Sequence, residues 1–330
     1  MRRPFADRIT VGTLAVTTAL ALAGCGAGQT DPPAAGGVGA APSCPSATPT
    51  PGSTPPLTRP TATADASRPP GTPSPVPSAT DTERDGVRVT GVYSGAVDEH
   101  GVCRPNGLTA AFSVTSPDTQ DMTYTIVLDA GGYTGVTRIV GPVRPGKTLR
   151  GTVAMRRSLG DSVGGPHVSV VSVRSVPTAE APSESGPCPA SGVRVWADRG
   201  DAAMGLRVTG LHLENCGRSP YPLEGRPELQ ILDAGHKPVE GIRLVPGDEV
   251  ANLDGSPDVV RPVTLNPGER ALSTIAWRNT VLTVGAPVNA PYLRVRARAG
   301  AAPVMVTPEL DLGTTGRLGV RAWQKEQGEP

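Results

Sequence analysis

The sequence has few aromatic residues and no segment long enough to suggest a membrane-spanning helix. Only 3% of its 330 residues are Phe, Trp or Tyr, whereas Gly occurs 41 times and Pro 37 times. An uncharged segment of apolar and small residues at 9–23 is shorter than the about 20 residues that a helix needs to cross a bilayer. This composition is typical of a tether joined to turn-rich β domains and disfavours a helical enzyme.

The chain also lacks an excess of charge of either sign. Its formal net charge is +1, and removing residues 1–24 leaves 28 basic and 29 acidic residues. Proteins that bind nucleic acids need a basic surface to neutralise phosphates. We therefore expect no nucleic-acid partner.

The N-terminal segment has the features of a bacterial lipoprotein signal. Arg2, Arg3 and Arg8 precede the apolar segment, and Leu22-Ala23-Gly24-Cys25 closes it. This pattern resembles a lipobox, which implies a signal peptide at 1–24, cleavage before Cys25 and a diacylglyceryl thioether on its sulfur. An ordinary secretory signal with a chance Cys is the alternative, and the export route, general secretory or twin-arginine, stays open. Since two acyl chains (palmitate, for example) anchor a protein stably, we expect it at the extracytoplasmic face of the cell membrane.

Residues 25–84 form a low-complexity segment after the signal. They are rich in Pro, Thr, Ser and Ala and contain almost no large apolar side chain. Such a segment cannot bury a core, so we expect a lipidated, disordered tether with polyproline character.

The four remaining cysteines are Cys44, Cys103, Cys188 and Cys216. An even number in an exported chain indicates disulfide bonds, and four cysteines allow three pairings. Cys188 and Cys216 flank one strand-like region and are the favoured pair. Cys44 and Cys103 pair by elimination, with a free Cys44 as the alternative. No Cys-x-x-Cys motif points to a redox or metal site.

Two regions of short β-branched runs separated by turns follow the tether. Neither has a helical period, and Arg144-Pro145-Gly146-Lys147 and Asn266-Pro267-Gly268-Glu269 fit Pro-Gly turns. We predict an all-β protein with two tandem immunoglobulin-like β-sandwich domains. The predicted segments are a first domain at 85–177, a polar linker at 178–187, a second domain at 188–325 and a C-terminal tail at 326–330.

In one predicted strand of the second domain, the apolar residues change from even-numbered to odd-numbered positions. Within 205–215, Leu206 and Val208 share one parity, whereas Leu211 and Leu213 share the other. Gly210 lies at the change, so we predict a β-bulge there. His212 should face the side of the sheet opposite Leu211 and Leu213.

The second domain resembles a known family. Its pattern places an Asn after an apolar strand, then a Leu-x-Gly-x-Pro segment, then a strand that ends in Asp and Gly. The corresponding residues here are Asn215, Leu223, Gly225, Pro227, Ile231, Leu232, Asp233 and Gly235. Residues 188–325 are thus similar to the actinobacterial domain of unknown function 4232. The resemblance implies a fold found in exported lipoproteins of actinobacteria and no assigned activity, since its motifs are turn and core residues.

Patterns that could carry chemistry are incomplete. Gly160-Asp161-Ser162-Val163-Gly164 matches Gly-x-Ser-x-Gly but lacks the helix that a nucleophile elbow requires. The acidic loop with Asp248, Asn252, Asp254 and Asp258 lacks the Gly and Glu of a calcium loop. The four His residues, scattered through the chain, form no metal-binding motif. We expect no enzyme activity, no catalytic or metal-ligating residue and no cofactor.

Three arginines alternate along a predicted strand at 292–299. Arg294, Arg296 and Arg298 should share one face, with Leu293, Val295 and Ala297 towards the core. The face is a candidate surface for an anionic partner, and the exposed side of an ordinary sheet is the alternative. We expect a non-catalytic binding or interaction role at the cell envelope with an unknown protein, polymer or small ligand. An accessory structural subunit of an envelope complex and an envelope hydrolase are the alternatives.

Overall fold

The computed structural model describes residues 83–97, 103–157, 167–253, 255, 257–281 and 285–326. Within these ranges the chain consists of β-strands, loops and two short 3₁₀ turns, Thr178–Glu180 and Gly247–Glu249. All described residues belong to the compact unit Ala40–Pro330. The prediction of an all-β fold is confirmed.

The described residues of the N-terminal sandwich form seven strands in two antiparallel sheets. These are β1 (Glu83–Arg84), β2 (Val87–Val97), β3 (Cys103–Thr115), β4 (Met122–Ala130), β5 (Val136–Val143), β6 (Thr148–Met155) and β7 (Val168–Pro177). One sheet has the order β1-β2-β3-β6 and the other the order β5-β4-β7.

The core of this sandwich follows from strict alternation along its central strands. In β4, Tyr124, Ile126 and Leu128 are buried, whereas the residues between them are partly exposed. Phe112 of β3, which belongs to the opposite sheet, is buried in the same core. Side chains with a period of two therefore meet between the sheets, as in other sandwiches.

In the C-terminal sandwich, the part of the chain that the structure describes forms fourteen strands, most of them short. These are β8 (Val193–Ala197), β9 (Asp201–Ala203), β10 (Leu206–Asn215), β11 (Tyr221–Leu223), β12 (Glu228–Leu232), β13 (Arg243–Pro246), β14 (Val263–Leu265), β15 (Arg270–Arg278), β16 (Val288–Ala290), β17 (Tyr292–Arg296), β18 (Val304–Val306), β19 (Leu310–Gly313), β20 (Arg317–Val320) and β21 (Gln324–Lys325). The larger sheet has the order β13-β20-β15-β10-β8, with β9 paired to β10 and β21 to β15. It packs through one hydrophobic core against the sheet β12-β17-β18.

The predicted bulge at Gly210 is wrong. The register between β10 and β15 runs unbroken from Leu206 to Glu214. The strand keeps one alternation throughout: Leu211 and Leu213 are buried in the core, whereas Leu206 and Val208 share the parity of His212 and are only partly buried. The loop between β8 and β9 crosses there, and a Cβ on Gly210 would lie 2.4 Å from a carboxylate oxygen of Asp198. The close approach of the Asp198 side chain therefore favours Gly at 210, and β10 has no bulge there.

The two sandwiches meet along the free edge of β7. The backbone amide of Ser175 donates to the Tyr292 hydroxyl at 3.1 Å, and His236 Nε2 donates to the Ser175 carbonyl at 2.8 Å. The His236 ring lies edge-on to Tyr292, with centroids 4.4 Å apart. Val176, Leu232, Tyr292 and Met305 form a small buried cluster behind these bonds. We call this contact the seam.

Two ion pairs extend the seam. Arg174 binds both carboxylate oxygens of Glu309, at 2.6 and 2.7 Å. Arg294 donates to Glu180 in the segment predicted as a linker, at 2.7 Å. That segment also bonds to both sandwiches, because Thr178 donates to the carbonyl of Asp121 and Ser183 to that of Val195. The segment at 178–187 therefore packs between the sandwiches.

Candidate functional site

The disulfide predicted in the second domain is confirmed. Cys188 and Cys216 are bonded, with Cα atoms 5.6 Å apart, and close a loop that contains β8, β9 and β10. Cys25 and Cys44 lie outside the described residues, as does the side chain of Cys103. Lipidation at Cys25 and the Cys44–Cys103 pairing therefore stay predictions.

The arginine strand has the predicted orientation. Leu293, Val295 and Ala297 are buried in the core, and the arginines between them are partly or fully exposed. The strand itself ends at Arg296, so Arg298 lies in the turn that follows.

Each of the three arginines has a partner within the chain. Arg294 bonds to Glu180 and Gln230, and Arg296 donates to the carbonyl of Ala301. The guanidinium of Arg298 lies 4.7 Å from the ring centroid of Tyr221. The predicted anionic-partner surface therefore consists of side chains that already stabilise the seam, a turn and an aromatic ring, and the partner itself stays a prediction.

The side chain of Asp258, from the acidic loop, is buried and held by hydrogen bonds from other parts of the chain. Its side chain is fully buried and accepts hydrogen bonds from Arg226 at 2.7 Å, from the Ala322 amide at 2.9 Å and from the Gly247 amide at 3.1 Å. Burial raises the pKa of Asp258, but these hydrogen bonds and the Arg226 charge outweigh it and hold the pKa below the usual carboxyl value. Asp258 thus joins three segments as an ionised group, while Asp254 of the same loop lies outside the described residues.

His212 faces away from Leu211 and Leu213, as predicted. Its Nδ1 lies 2.7 Å from Glu326 and its Nε2 3.3 Å from Asp198. Its ring stacks on Trp196, with centroids 5.2 Å apart and planes inclined by 11°. Because β10 is central in its sheet, this arrangement fixes the C-terminal segment to the outer face of the sheet.

A polar cleft of about 280 Å³ lies at the β9 end of the larger sheet. Its walls include Arg199, Asp201, Arg207, Trp277, Glu309 and Asp311. Asp311 accepts hydrogen bonds from the Trp277 indole and from Asn279, both at 2.7 Å. Burial raises the pKa of Asp311, but these bonds and the nearby Arg207 lower it below the usual value. The cleft therefore has charges of both signs and a fixed, ionised carboxylate in its wall.

A second cleft, of about 360 Å³, is lined by both apolar and polar residues. Val263 and Trp323 are among its lining residues, as are Arg261 and Lys325, and Lys325 is paired with Glu269 at 2.7 Å. The neighbouring Val259 and Val260 are 47% and 49% exposed. This side of the sandwich offers apolar contact area beside two cations.

The described residues contain no cluster of three or more His, Cys, Asp or Glu that could hold a metal ion. In the same part of the chain, no helix has the length and hydropathy that crossing a bilayer requires. The segment Gly160-Asp161-Ser162-Val163-Gly164 lies outside the described residues, so its geometry is untested.

The residues that carry the family resemblance act as turn and core residues. Asn215 is buried, donates to the carbonyls of Ser219 and Leu265 and accepts from the Gly217 amide. Leu223 is buried, and Gly225 has a positive φ of 74°. Asp233 Oδ1 accepts the amides of Gly235 and Lys237 in the turn that presents His236 to the seam. These residues therefore stabilise turns and the core of the fold, and the turn at Asp233 also positions His236 in the contact between the sandwiches.

Sequence reasoning missed both the Asp311 cleft and the seam. The seam side chains, such as His236 and Tyr292, lie far apart in the sequence, and no local spacing marks them. The Asp233-x-Gly235 pattern is the one local signal, because Asp followed by Gly two residues later favours a side-chain-capped turn.

Comparison with known proteins gives a single kind of match. No curated protein and no solved structure is significantly similar to the chain. Residues 188–324, which form the C-terminal sandwich, match the model of the family described as Domain of unknown function (DUF4232).

Proposed function

We propose that the protein is a lipid-anchored binding protein at the extracytoplasmic face of the cell membrane. The lipobox at Cys25 and the low-complexity segment after it support the anchor and the tether. The two sandwiches, joined at the seam, form the part that meets a partner. No reaction is assigned to them.

The polar cleft beside Asp311 carries the proposal of binding. A wall with Arg199, Arg207, Asp201 and Glu309 offers both donors and acceptors. Asp311 is ionised and already hydrogen-bonded, so it favours orientation of a polar ligand over proton transfer. The cleft suits a polar segment of a partner or a small polar ligand.

A role as an accessory subunit is the second proposal. The exposed Val259 and Val260 beside the cleft at Trp323 offer a partner protein an apolar surface. Exposed apolar patches rimmed by polar residues are one mark of protein–protein contact sites.

Photo-crosslinking on intact cells tests the proposed function. A photoreactive amino acid is placed at Arg199 in the polar cleft, at Val259 for the subunit proposal, or at Glu240 as a control. All three positions are exposed. The cleft proposal predicts a defined adduct from position 199 that is absent from positions 240 and 259.

The adducts are identified by mass spectrometry. A stoichiometric protein adduct from position 259 alone would replace the first proposal by the subunit proposal. Absence of a specific adduct from both positions 199 and 259 would contradict the binding role of this sandwich.

A further inference from the structure

The turn between β9 and β10 has a backbone conformation that does not suit the residue it contains. The two strands pair up to Ala203 and Leu206, so Met204 and Gly205 form a two-residue turn. Both residues have a positive φ, of 48° and 79°, as in the type I′ turn that favours Asn followed by Gly. Methionine at the first position therefore carries backbone strain that Asn would relieve.

The other non-glycine residues with a positive φ in the described part of the chain each have a structural reason for it. Asp85 lies in an Asp-Gly turn, which tolerates this conformation. His236 and Glu309 use their side chains in the seam. The side chain of Met204 is instead 101% exposed, so packing within the sandwich does not offset its strain. Strained residues of this kind occur mostly at functional sites, which makes Met204 a candidate contact residue.

The turn is held by bonds on both sides of the hairpin. The disulfide closes the loop that contains β9 and β10. Asp198 Oδ1 accepts the amides of Gly200 and Gly210 at 2.8 and 3.0 Å, where the chain enters the hairpin. The carbonyl of Gly205 accepts the amide of Asn279 at 2.9 Å. The exposed methionine is therefore positioned in advance, which lowers the entropic cost of binding a partner.

A second exposed apolar side chain lies at the same end of the larger sheet. Ala203, Leu206 and Arg278 pair across β9, β10 and β15 and form the last row of these strands. Val281 lies three residues beyond this row and is 64% exposed. We call Met204 and Val281 the apolar tip.

The apolar tip adjoins the polar cleft. Asp201 and Arg207, which belong to the same hairpin as Met204, line the cleft. Asn279, whose amide donates to the turn, also donates through its side chain to Asp311 in the cleft wall. Apolar side chains beside charged groups of both signs match the apolar centre and polar rim of a protein–protein interface.

We propose that Met204 is an anchor that enters an apolar recess of a separate partner protein, while the polar cleft meets charged groups around that recess. The inference rests on the proposed binding role of the cleft and assigns its ligand to the class of folded proteins. Because the tip projects and is held in place, its complement is a recess in an ordered surface, and methionine adapts to recesses of varied shape. A bilayer fits less well, since Asp201 and Glu309 in the cleft would be repelled by anionic headgroups.

Photo-crosslinking from position 281 on intact cells tests the proposal. The full-length chain carries benzoylphenylalanine in place of the exposed Val281, and residue 204 is left unchanged or altered by Met204→Leu or Met204→Asn. We expect a defined protein adduct from the parent chain and from Met204→Leu, which keeps an apolar side chain. Met204→Asn should lower the yield of that adduct about tenfold, the effect on affinity of losing one buried apolar side chain.

Two controls separate loss of contact from loss of structure. Leu244→Asn removes an exposed apolar side chain from β13, at the opposite edge of the same sheet, and should leave the yield unchanged. The thermal stability of the purified variants is the second control. Met204→Asn should raise the melting temperature of the C-terminal sandwich by about 2–6 °C, because Asn suits a positive φ in this turn.

Each outcome decides the proposal. Absence of a protein adduct from position 281, or an adduct from Met204→Asn as abundant as that of the parent, would overturn it. A phospholipid adduct or a crosslinked dimer of the chain would assign the tip to a membrane or to self-association, and the separate partner would be wrong. A lower melting temperature of Met204→Asn would give the side chain a structural role and would also contradict the proposal. If position 199 still gives its adduct in these cases, the anchor alone has failed and the proposed function of the cleft stands.

Discussion

Replacing Asp258 by Asn should destabilise the C-terminal sandwich by about 3–5 kcal/mol, the usual cost of breaking a buried ion pair. The carboxylate is fully buried and accepts bonds from Arg226, Gly247 and Ala322. Asn keeps the size of the side chain but presents an NH₂ group to donors and leaves the Arg226 charge uncompensated. For a domain of this size the loss corresponds to a melting temperature lower by about 6–20 °C.

Tryptophan fluorescence in urea is the assay. All three tryptophans of the chain, Trp196, Trp277 and Trp323, lie in the C-terminal sandwich, so the signal reports its unfolding. Glu240→Gln is the control, since Glu240 is exposed in the same sandwich and away from Asp258. It should change the free energy of unfolding by less than about 1 kcal/mol. Equal stability of the two variants would refute the structural role of Asp258.

The effect of Asp258→Asn should also depend on pH. The pKa of Asp258 is lowered in the folded state, so the unfolded chain binds more protons in acid. The stabilisation is complete above the unfolded carboxyl pKa of about 4 and is lost as the pH falls through the lower folded value. The difference in stability between wild type and variant should therefore shrink below about pH 4, and a difference that stays constant down to pH 2 would contradict this cause.

Three further predictions concern the disulfide, the seam and the polar cleft. Changing Cys188 and Cys216 together to Ser should cost about 3.5 kcal/mol in urea unfolding, and a loss below 1 kcal/mol would contradict a stabilising bond. Tyr292→Phe removes the acceptor for the Ser175 amide, which should exchange its proton faster by NMR while the fold is kept; unchanged exchange would argue against the seam. Asp311→Ala removes the acceptor of the Trp277 indole, so it should lower stability by about 1–3 kcal/mol and shift the Trp277 emission; an unaltered spectrum would show that the indole bond does not form.

The strands that alternate strictly could be read from the sequence. In segments 122–130 and 270–277 every second residue is buried along the whole length, and these segments form β4 and β15. The Cys188–Cys216 pair was predictable for the same reason, since both cysteines flank a recognisable strand region.

Residues 258–265 show why other parts could not be read from the sequence. Their β-branched composition predicts a strand, yet only Val263–Leu265 forms one. Asp258 is held by bonds from segments more than ten residues away on either side, and these fix the preceding residues as a loop. Contacts between distant segments outweigh local propensity in such places.

The seam and the polar cleft were missed for a similar reason. Tyr292 and Ser175 lie 117 residues apart, and Trp277 and Asp311 lie 34 apart. Their pairing depends on the order of strands in the sheets, which one sequence does not reveal.

Mass spectrometry of the N-terminal peptide of the protein purified from cell membranes tests the central claim most directly. The account predicts a peptide that begins at Cys25 and carries the mass of a diacylglyceryl group. A peptide that begins at another residue, or an unmodified Cys25, would contradict the lipid anchor on which the proposed location of the binding function depends.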